Sequence, residues 1–531
     1  MRNTVRQRVL VVVLLALLLP TMSPVAAATP VPSYYTLTEL GTLPGATEAA
    51  ALAINDRGQT VGYVGIDRTR YVGYLYDNGQ TQDLSAFGLN LAYGINNNGQ
   101  IVGGSALLSG GTTTSLLPAQ DGTDFFALAL NDNAQIVGDS DPNRPANSQP
   151  LLWQQGTITS LLPGRHGRAT DINNAGQLAV TENIAFDQYG AVRRSVAYRF
   201  DLATGQLTDL QAQIGSTDPI IKSGASGINE AGHIVGFAST GQRSLPVLWR
   251  DGQAIDLGGF GAASGINDSD QIVGSSSNGR GLQAALWRDG QRFDLNALIP
   301  QGTDWQLTQA LAINNAGQIV GIGTRADLRL RAFLLTPRFR DLPPGHPSRD
   351  AILALADRGI IQGYGDGRVG ADDPVLRAQS AGLIARAGGW DTEDWPDTTF
   401  PDQGAVDDVL WRTVRTLAHY RVALGYKDGT YDPTGEVLHQ QVVLFIARAL
   451  IAKGYWVEQS DTNPYPNLPN TTDREQADRR AVATYVHYAG AVPDRPVGQS
   501  WADWDRSATR GWFAQALWQA LQTVPSPAST R

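Results

Sequence analysis

A chain of 531 residues with 42% hydrophobic content and a formal charge of −9 is long enough for several domains, each with its own core. Its acidity, −12 once Arg2, Arg6 and Arg8 are gone, and the lack of any basic run argue against nucleic acid or an anionic membrane as a partner. It has no cysteine, which excludes disulfide staples, thiolate zinc sites and a lipid-modified cysteine.

The first element is a secretory signal. Three arginines precede an apolar run from Val9 to Leu19, and Ala26-Ala27-Ala28 offers a small-residue cleavage site, with the cut placed after Ala28. The alternative is an uncleaved anchor, but about 11 apolar residues fall short of the roughly 20 that a spanning helix needs. No comparable stretch follows, so the mature chain is expected outside the cytoplasm with no transmembrane anchor.

From Ala51 to Gly321 one phrase is written seven times, from ALAINDRGQTVG at Ala51 to ALAINNAGQIVG at Ala310. The asparagines of the copies are Asn55, Asn96, Asn131, Asn173, Asn229, Asn267 and Asn314, at steps of 41, 35, 42, 56, 38 and 47 residues. Units of this length cannot bury their own apolar faces and must stack, and the period suits four-stranded propeller blades. In the fifth copy ASGIN, HIVGFAS, LPVLWR and QAIDLGGF read as four strands, with Asp251-Gly252 as a tight hairpin turn. The last copy stops after AFLLTP without a fourth strand, and YYTLTELGTLPG near the N-terminus resembles the missing one. A donated strand would close the ring and remove an edge, giving seven blades; the alternative is an open stack.

Three features of the repeats bear on function. The amide-rich Asn-x-x-Gly turns lack the alternating carboxylates of a calcium loop and read as turns capped by their own side chains. Trp153, Trp249 and Trp287 recur at one position, which favours packing between units over a sugar-stacking ring. The fourth copy carries the insert TENIAFDQYGAVRRSVAYRFDLATGQ, the best place for a ligand loop. The Ile-Asn-x-x-Gly-Gln-x-Val-Gly core, followed by Leu-Trp-x-x-Gly and Asp-Leu, resembles the bacterial extracellular HAF repeat family. That resemblance covers about residues 34–337 and implies an extracellular repeat protein with no defined ligand.

After Pro337 helical periodicity replaces the strand pattern. A segment from Phe339 recurs in altered form from Phe400, with Gly363-Tyr364 and Gly425-Tyr426 62 residues apart. Each copy reads as a helix, a Gly-Tyr-x-Asp-Gly loop, and a second helix opening at Leu376-Arg377 or Leu438-His439. These copies resemble surface-layer homology modules through Phe-x-Asp, Gly-Tyr-x-Asp-Gly and a Thr-Arg-Ala-Glu-like helix opening. A third, eroded copy keeps Thr509-Arg510-Gly511-Trp512, lacks the Gly-Tyr loop, and has Asn467 where the others have Asp341 and Asp402.

The resemblance implies a three-lobed helical domain that binds cell-wall polysaccharide, often a pyruvylated one. Its site residues would be Asp341, Gly363, Tyr364, Arg377, Asp402, Gly425, Tyr426, His439 and Arg510. An arginine at a helix N-terminus suits a carboxylate, because its fork of donors adds to the free amides of the helix. His439 breaks that pattern and weakens the second site at neutral pH. The bland reading has the aspartates capping the first helices and Gly-Tyr ending them.

The fold class expected is therefore multidomain: an all-β seven-bladed propeller over 29–337, then an all-α surface-layer homology triplet at 338–398, 399–460 and 461–523, with a signal at 1–28 and a disordered tail at 524–531. No cofactor or metal motif is present. The function expected is a secreted, wall-anchored display protein with an unidentified propeller ligand. The alternative is a wall-anchored glycan-degrading enzyme with its site at a channel mouth, since propeller enzymes gather carboxylates from distant blades. An acidic cluster confined to one place would favour the enzyme, and uniform units would favour display.

Overall fold

Each repeat folds as an antiparallel meander because its turns permit little else. In the computed structural model the first repeat runs through strands Glu48–Ile54, Thr60–Gly65, Tyr71–Asp77 and Gln80–Asp83 in sequence order. The last hairpin turns at Asn78 and Gly79, with φ of 46° and 86°. Asp251-Gly252 and Asp289-Gly290 repeat that left-handed pair, which matches the twist of a two-residue hairpin. The structure describes residues 33–524 apart from 67–69, 118–123, 142, 215–219, 278, 280, 301, 392–394, 396–397, 461–472 and 495–505. The expected signal, Asn467 and the tail beyond residue 524 lie outside the described residues.

Among the described residues the strands form six sheets. Five have four strands. The sixth has eight, because the meanders of the fourth and fifth repeats are joined by one parallel bridge between Ser195 and Lys222. The insert of the fourth repeat lengthens its central hairpin to Gln177–Phe186 and Val192–Asp201, with Tyr189 at the tip 85% exposed. The strand Tyr35–Leu40 lies antiparallel against Leu330–Pro337, Tyr35 opposite Pro337 and Leu40 opposite Ala332. The N-terminal segment therefore completes the last sheet, as its wording suggested.

The recurrent glycine of Ile-Val-Gly has a steric cause. The inner strand slips register in six of the seven repeats among the described residues, for example between Ala51 and Ala53. A Cβ on Gly62 would then lie 2.0 Å from the Ala50 carbonyl oxygen. Any side chain there would push the bulged strand out of the sheet.

The recurrent asparagine has an electrostatic one. Asn55 accepts the Arg57 and Gln59 amides at 3.1 and 3.0 Å on Oδ1, and donates from Nδ2 to Gln59 Oε1. Its Nδ2 also reaches the Asn96 carbonyl of the next repeat at 2.9 Å. The same link runs from Asn96 to Asn131, Asn173, Asn229, Asn267 and Asn314, and returns from Asn314 to the Asn55 carbonyl at 2.9 Å. All seven side chains are buried, where an unpaired amide would be costly. The cycle closes on itself.

The region after Pro337 holds six α-helices among the described residues: α1 (Arg349–Asp357), α2 (Arg377–Gly388), α3 (Asp408–His419), α4 (His439–Ala452), α5 (Asp473–Ala489) and α6 (Arg510–Leu521). They pack as α1 with α6, α2 with α3, and α4 with α5. Each pair crosses a boundary between sequence copies, so the copy is not the packing unit. The region is also not all-α. Isolated β-bridges join Pro374 to Thr509, Leu376 to Glu436 and Leu438 to Ser507. At their centre Val375 N bonds Ala508 O, Ala508 N bonds Val437 O and Val437 N bonds Val375 O, at 2.8–2.9 Å. The physical reason is that the residue before each second helix is extended and needs a backbone partner, which only the other copies supply.

One apolar core runs from the last two β sheets into the helices, taking in Tyr35, Leu286, Leu298 and Leu335 with Leu342, Ile352 and Leu355. The amides of Tyr34 and Tyr35 both bond the Leu298 carbonyl, and Arg338 N bonds Tyr34 O. Burial pushes the Tyr34 phenol up to about 12. None of the described helices is long and apolar enough to cross a membrane.

Candidate functional site

The Phe-x-Asp and Gly-Tyr-x-Asp-Gly motifs build one receptacle. Asp341 accepts the amides of Val369 and Gly370 at 2.8 and 2.7 Å, and Asp402 accepts those of Tyr431 and Asp432 at 3.1 and 2.6 Å. Both carboxylates clamp the chain after the loop; neither caps a helix. Gly363 must lack a side chain because a Cβ would meet Phe339 at 2.9 Å and the Arg368 carbonyl at 2.7 Å. Gly425 is held the same way by Phe400 and Thr430. Tyr364 and Tyr426 close their turns by donating their amides to Arg368 O and Thr430 O. Asp366 takes the Arg368 amide, and that bond holds its carboxyl below the usual range.

Into each receptacle comes a helix start from another copy. Arg377 at the head of α2 is 2% exposed, with Nε on Tyr431 O at 2.9 Å and Nη2 on Leu424 O at 3.4 Å. Its guanidinium lies over the rings of Tyr426 and Tyr431 at 4.6 and 4.8 Å. Arg510 at the head of α6 does the same in the first copy, with Nε on Val369 O at 2.7 Å, Nη2 on Gln362 O at 3.0 Å, and Tyr364 beneath it. The two arginines thus grip carbonyls of neighbouring loops. The third equivalent position is His439, whose ring stacks on Trp512 at 3.8 Å and 1°.

Around that stack lies a groove of about 310 Å³, lined by His346, Ser348, Asp372, Arg506, Thr509 and Gln515 as well. Two helix starts meet its wall: His439 N bonds Arg506 O, and Thr509 caps α6 by accepting the Trp512 amide. The sequence-predicted residues therefore divide. Asp341, Gly363, Tyr364 and Arg510 gather at one junction, Asp402, Gly425, Tyr426 and Arg377 at a second, and His439 lines the third. Trp512 was visible next to Arg510 in the third copy, but its pairing with His439 was not. Asp372 and Arg506 carried no signal, because their loops differ between copies.

The mouth of the asparagine cycle is a second concave feature, a space of about 160 Å³. The residue after each ring asparagine accepts the equivalent amide of the preceding repeat, so that Asp56, Asn97, Asp132, Asn174, Glu230, Asp268 and Asn315 form a second closed cycle. Desolvation, then the Asp268 and Asp132 charges, push the Glu230 carboxyl up against the bonds it accepts from Asn174. Trp249 and Trp287, by contrast, are buried in clusters between repeats and present no open face.

Residues 338–381 match the S-layer homology domain family. The chain carries an S-layer homology domain. Over 123 residues it is 31% identical to a cell surface protein of Thermoanaerobacter kivui, covering 22% of this chain and 16% of that protein. Over 131 residues it is 32% identical to a surface layer protein of Brevibacillus choshinensis, covering 23% of this chain and 11% of the relative. The chain thus spans less than a fifth of the length of these curated relatives. The protein is secreted and associated with the cell surface. The β region is loosely similar, at a TM-score of 0.36 and 12% identity, to the β-propeller domain of the trilobed protease from Pyrococcus furiosus, over 55% of this chain and 94% of that one.

Proposed function

We propose that the helical region holds cell-wall polysaccharide non-covalently, and that the β region is a closed seven-bladed propeller displayed outward. The observation that carries the anchoring is the groove at His439 and Trp512. There two helix starts, an exposed guanidinium of Arg506 and a flat aromatic surround converge on one open space. An exposed guanidinium beside a flat aromatic stack suits an anionic substituent on a glycan, such as a ketal pyruvate. The other two junctions are filled by Arg377 and Arg510, whose role in this reading is to hold the arms together. Display is favoured over catalysis because the carboxylates at the ring mouth, Asp56, Asp132, Glu230 and Asp268, are spread around it, and each already accepts a backbone amide of the preceding repeat.

Co-sedimentation of the mature chain with purified wall polymer tests this. Wild type is expected in the pellet, and Arg506→Ala or His439→Ala to weaken binding about tenfold, close to 1.4 kcal/mol. Unchanged binding in both variants, with Arg377→Lys abolishing it, would move the site to the second junction, where Arg377 meets Asp402, Gly425 and Tyr426.

A further inference from the structure

The first strand of each repeat runs toward the asparagine ring and the second runs back. Hairpins between second and third strands, and the exits of the fourth, therefore gather at the far end. Nine large apolar residues are exposed among the described residues of the β region, and all nine stand at that end. Tyr71 and Leu282 open third strands, Ile221 and Phe260 stand where first strands begin, and Tyr189 and Leu328 sit in hairpin loops. The ring end carries Asp56, Asp132, Glu230 and Asp268 instead. Scattered apolar exposure is ordinary on a protein surface, but exposure confined to one end marks a contact.

Leu328 is doubly out of place. It is 81% exposed and holds φ at 57°, in the left-handed region that favours glycine. Neither local conformation nor burial within one chain accounts for a leucine there. The charges nearby are paired among themselves: Arg193 with Asp187 at 2.7 Å, Arg325 with Asp304 at 3.0 Å and Arg331 with Asp327 at 2.6 Å. The loops that carry Tyr189 and Leu328 are thus not acidic, unlike the ring end. At about 200 Å² for a fully exposed large apolar residue, the nine exposed parts come to roughly 900 Å² per copy. A standard-size interface takes about 800 Å² from each partner.

We propose that this face joins two copies of the chain in an isologous dimer, far end against far end. The surface rests on the closed ring proposed above, since closure gathers the far ends of the repeats together. Docking the same face on the ring end of a second copy would strip water from carboxylates against apolar side chains, which disfavours head-to-tail stacking. Far end against far end buries apolar residues on both sides and closes with two copies. Pro337, where the chain leaves for the helices, lies at the ring end of its strand. The helical region therefore departs away from the contact.

Sedimentation velocity of the full mature chain tests this. A monomer–dimer equilibrium is expected, with a Kd of about 1–100 µM and no larger species. Leu328→Gly removes the apolar side chain where glycine suits the backbone, and its melting temperature on dilute monomer should stay within about 2 °C of wild type. The same variant should weaken the dimer at least tenfold, because each substitution counts twice in a two-fold contact. Tyr189→Ser, at another hairpin, is expected to do likewise. Raising salt from about 0.1 to about 0.5 M should leave the Kd unchanged or lower it, since screening relieves repulsion between two acidic chains. Monomer alone up to about 200 µM, open-ended oligomers, weakening by salt, or dimers that survive both variants would each overturn the proposal. A failed ring would show separately, as unequal unfolding costs of Asn314→Ala and Asn96→Ala on dilute monomer, and would take the dimer face with it.

Discussion

Replacing Asn314 by alanine cuts the asparagine cycle where chain ends 259 residues apart are joined. The side chain gives up the bond to the Asn55 carbonyl at 2.9 Å, the bond to Gln318 Oε1 at 2.8 Å and the Gln318 amide at 2.9 Å. At about 1 kcal/mol net per bond the loss is about 3 kcal/mol, somewhat less if water from the ring mouth reaches the freed Asn55 carbonyl. Asn96→Ala is the control, since Asn96 makes the same links to Asn131, Gln100 and the turn amides far from the closure point. Urea unfolding followed by tryptophan fluorescence should show both midpoints lowered by similar amounts, with unchanged slope. In a closed ring no link is special. A cost below about 1 kcal/mol for Asn314→Ala beside a full cost for Asn96→Ala would mean that the seam is already open, and would refute the ring.

Deleting residues 34–40 removes six register pairs and the buried side chains of Tyr34, Tyr35 and Leu40. At about 1.5–3 kcal/mol per buried side chain, calorimetry should show the β region severely destabilised or unfolded. Arg377→Lys keeps the charge but loses the fork on Tyr431 and Leu424, and should cost about 3 kcal/mol in the helical region, read by the α-helical circular dichroism signal on heating. Asp171 is pushed up to about 6 by burial, despite the bonds from Ile228 and Ile172. A carboxyl raised in the folded state stabilises below its unfolded value near 4, and that contribution is lost as pH rises through about 6. Subtracting the stability–pH curve of Asp171→Asn from that of wild type should show this fall between pH 4 and 6; a flat difference would contradict it.

The repeat grammar was legible from residues alone. Turn pairs such as Asp251-Gly252 demand a left-handed backbone, and the alternation around them demands strands, so the meanders and the donated Tyr35–Leu40 strand could be read without coordinates. Gly363 and Gly425 were likewise visible as fixed points. Their purpose was not, since the close approach of Phe339 and Phe400 is a contact across more than twenty residues. The asparagines show the same divide: local capping of the turn follows from spacing, but the reach from Nδ2 to the next repeat's carbonyl depends on how the sheets stack.

Tertiary structure alone decided where the arginines point. Arg377 and Arg510 stand at helix starts, where sequence argues for an anion, yet folding brings a neighbouring copy's carbonyls and tyrosine rings within reach before any ligand arrives. Their charge is spent on holding the arms together. The open groove falls instead at His439, where the third copy has no Gly-Tyr loop to receive an arginine. Local chemistry fixes what a residue can bond to, and chain topology fixes which partner is nearest.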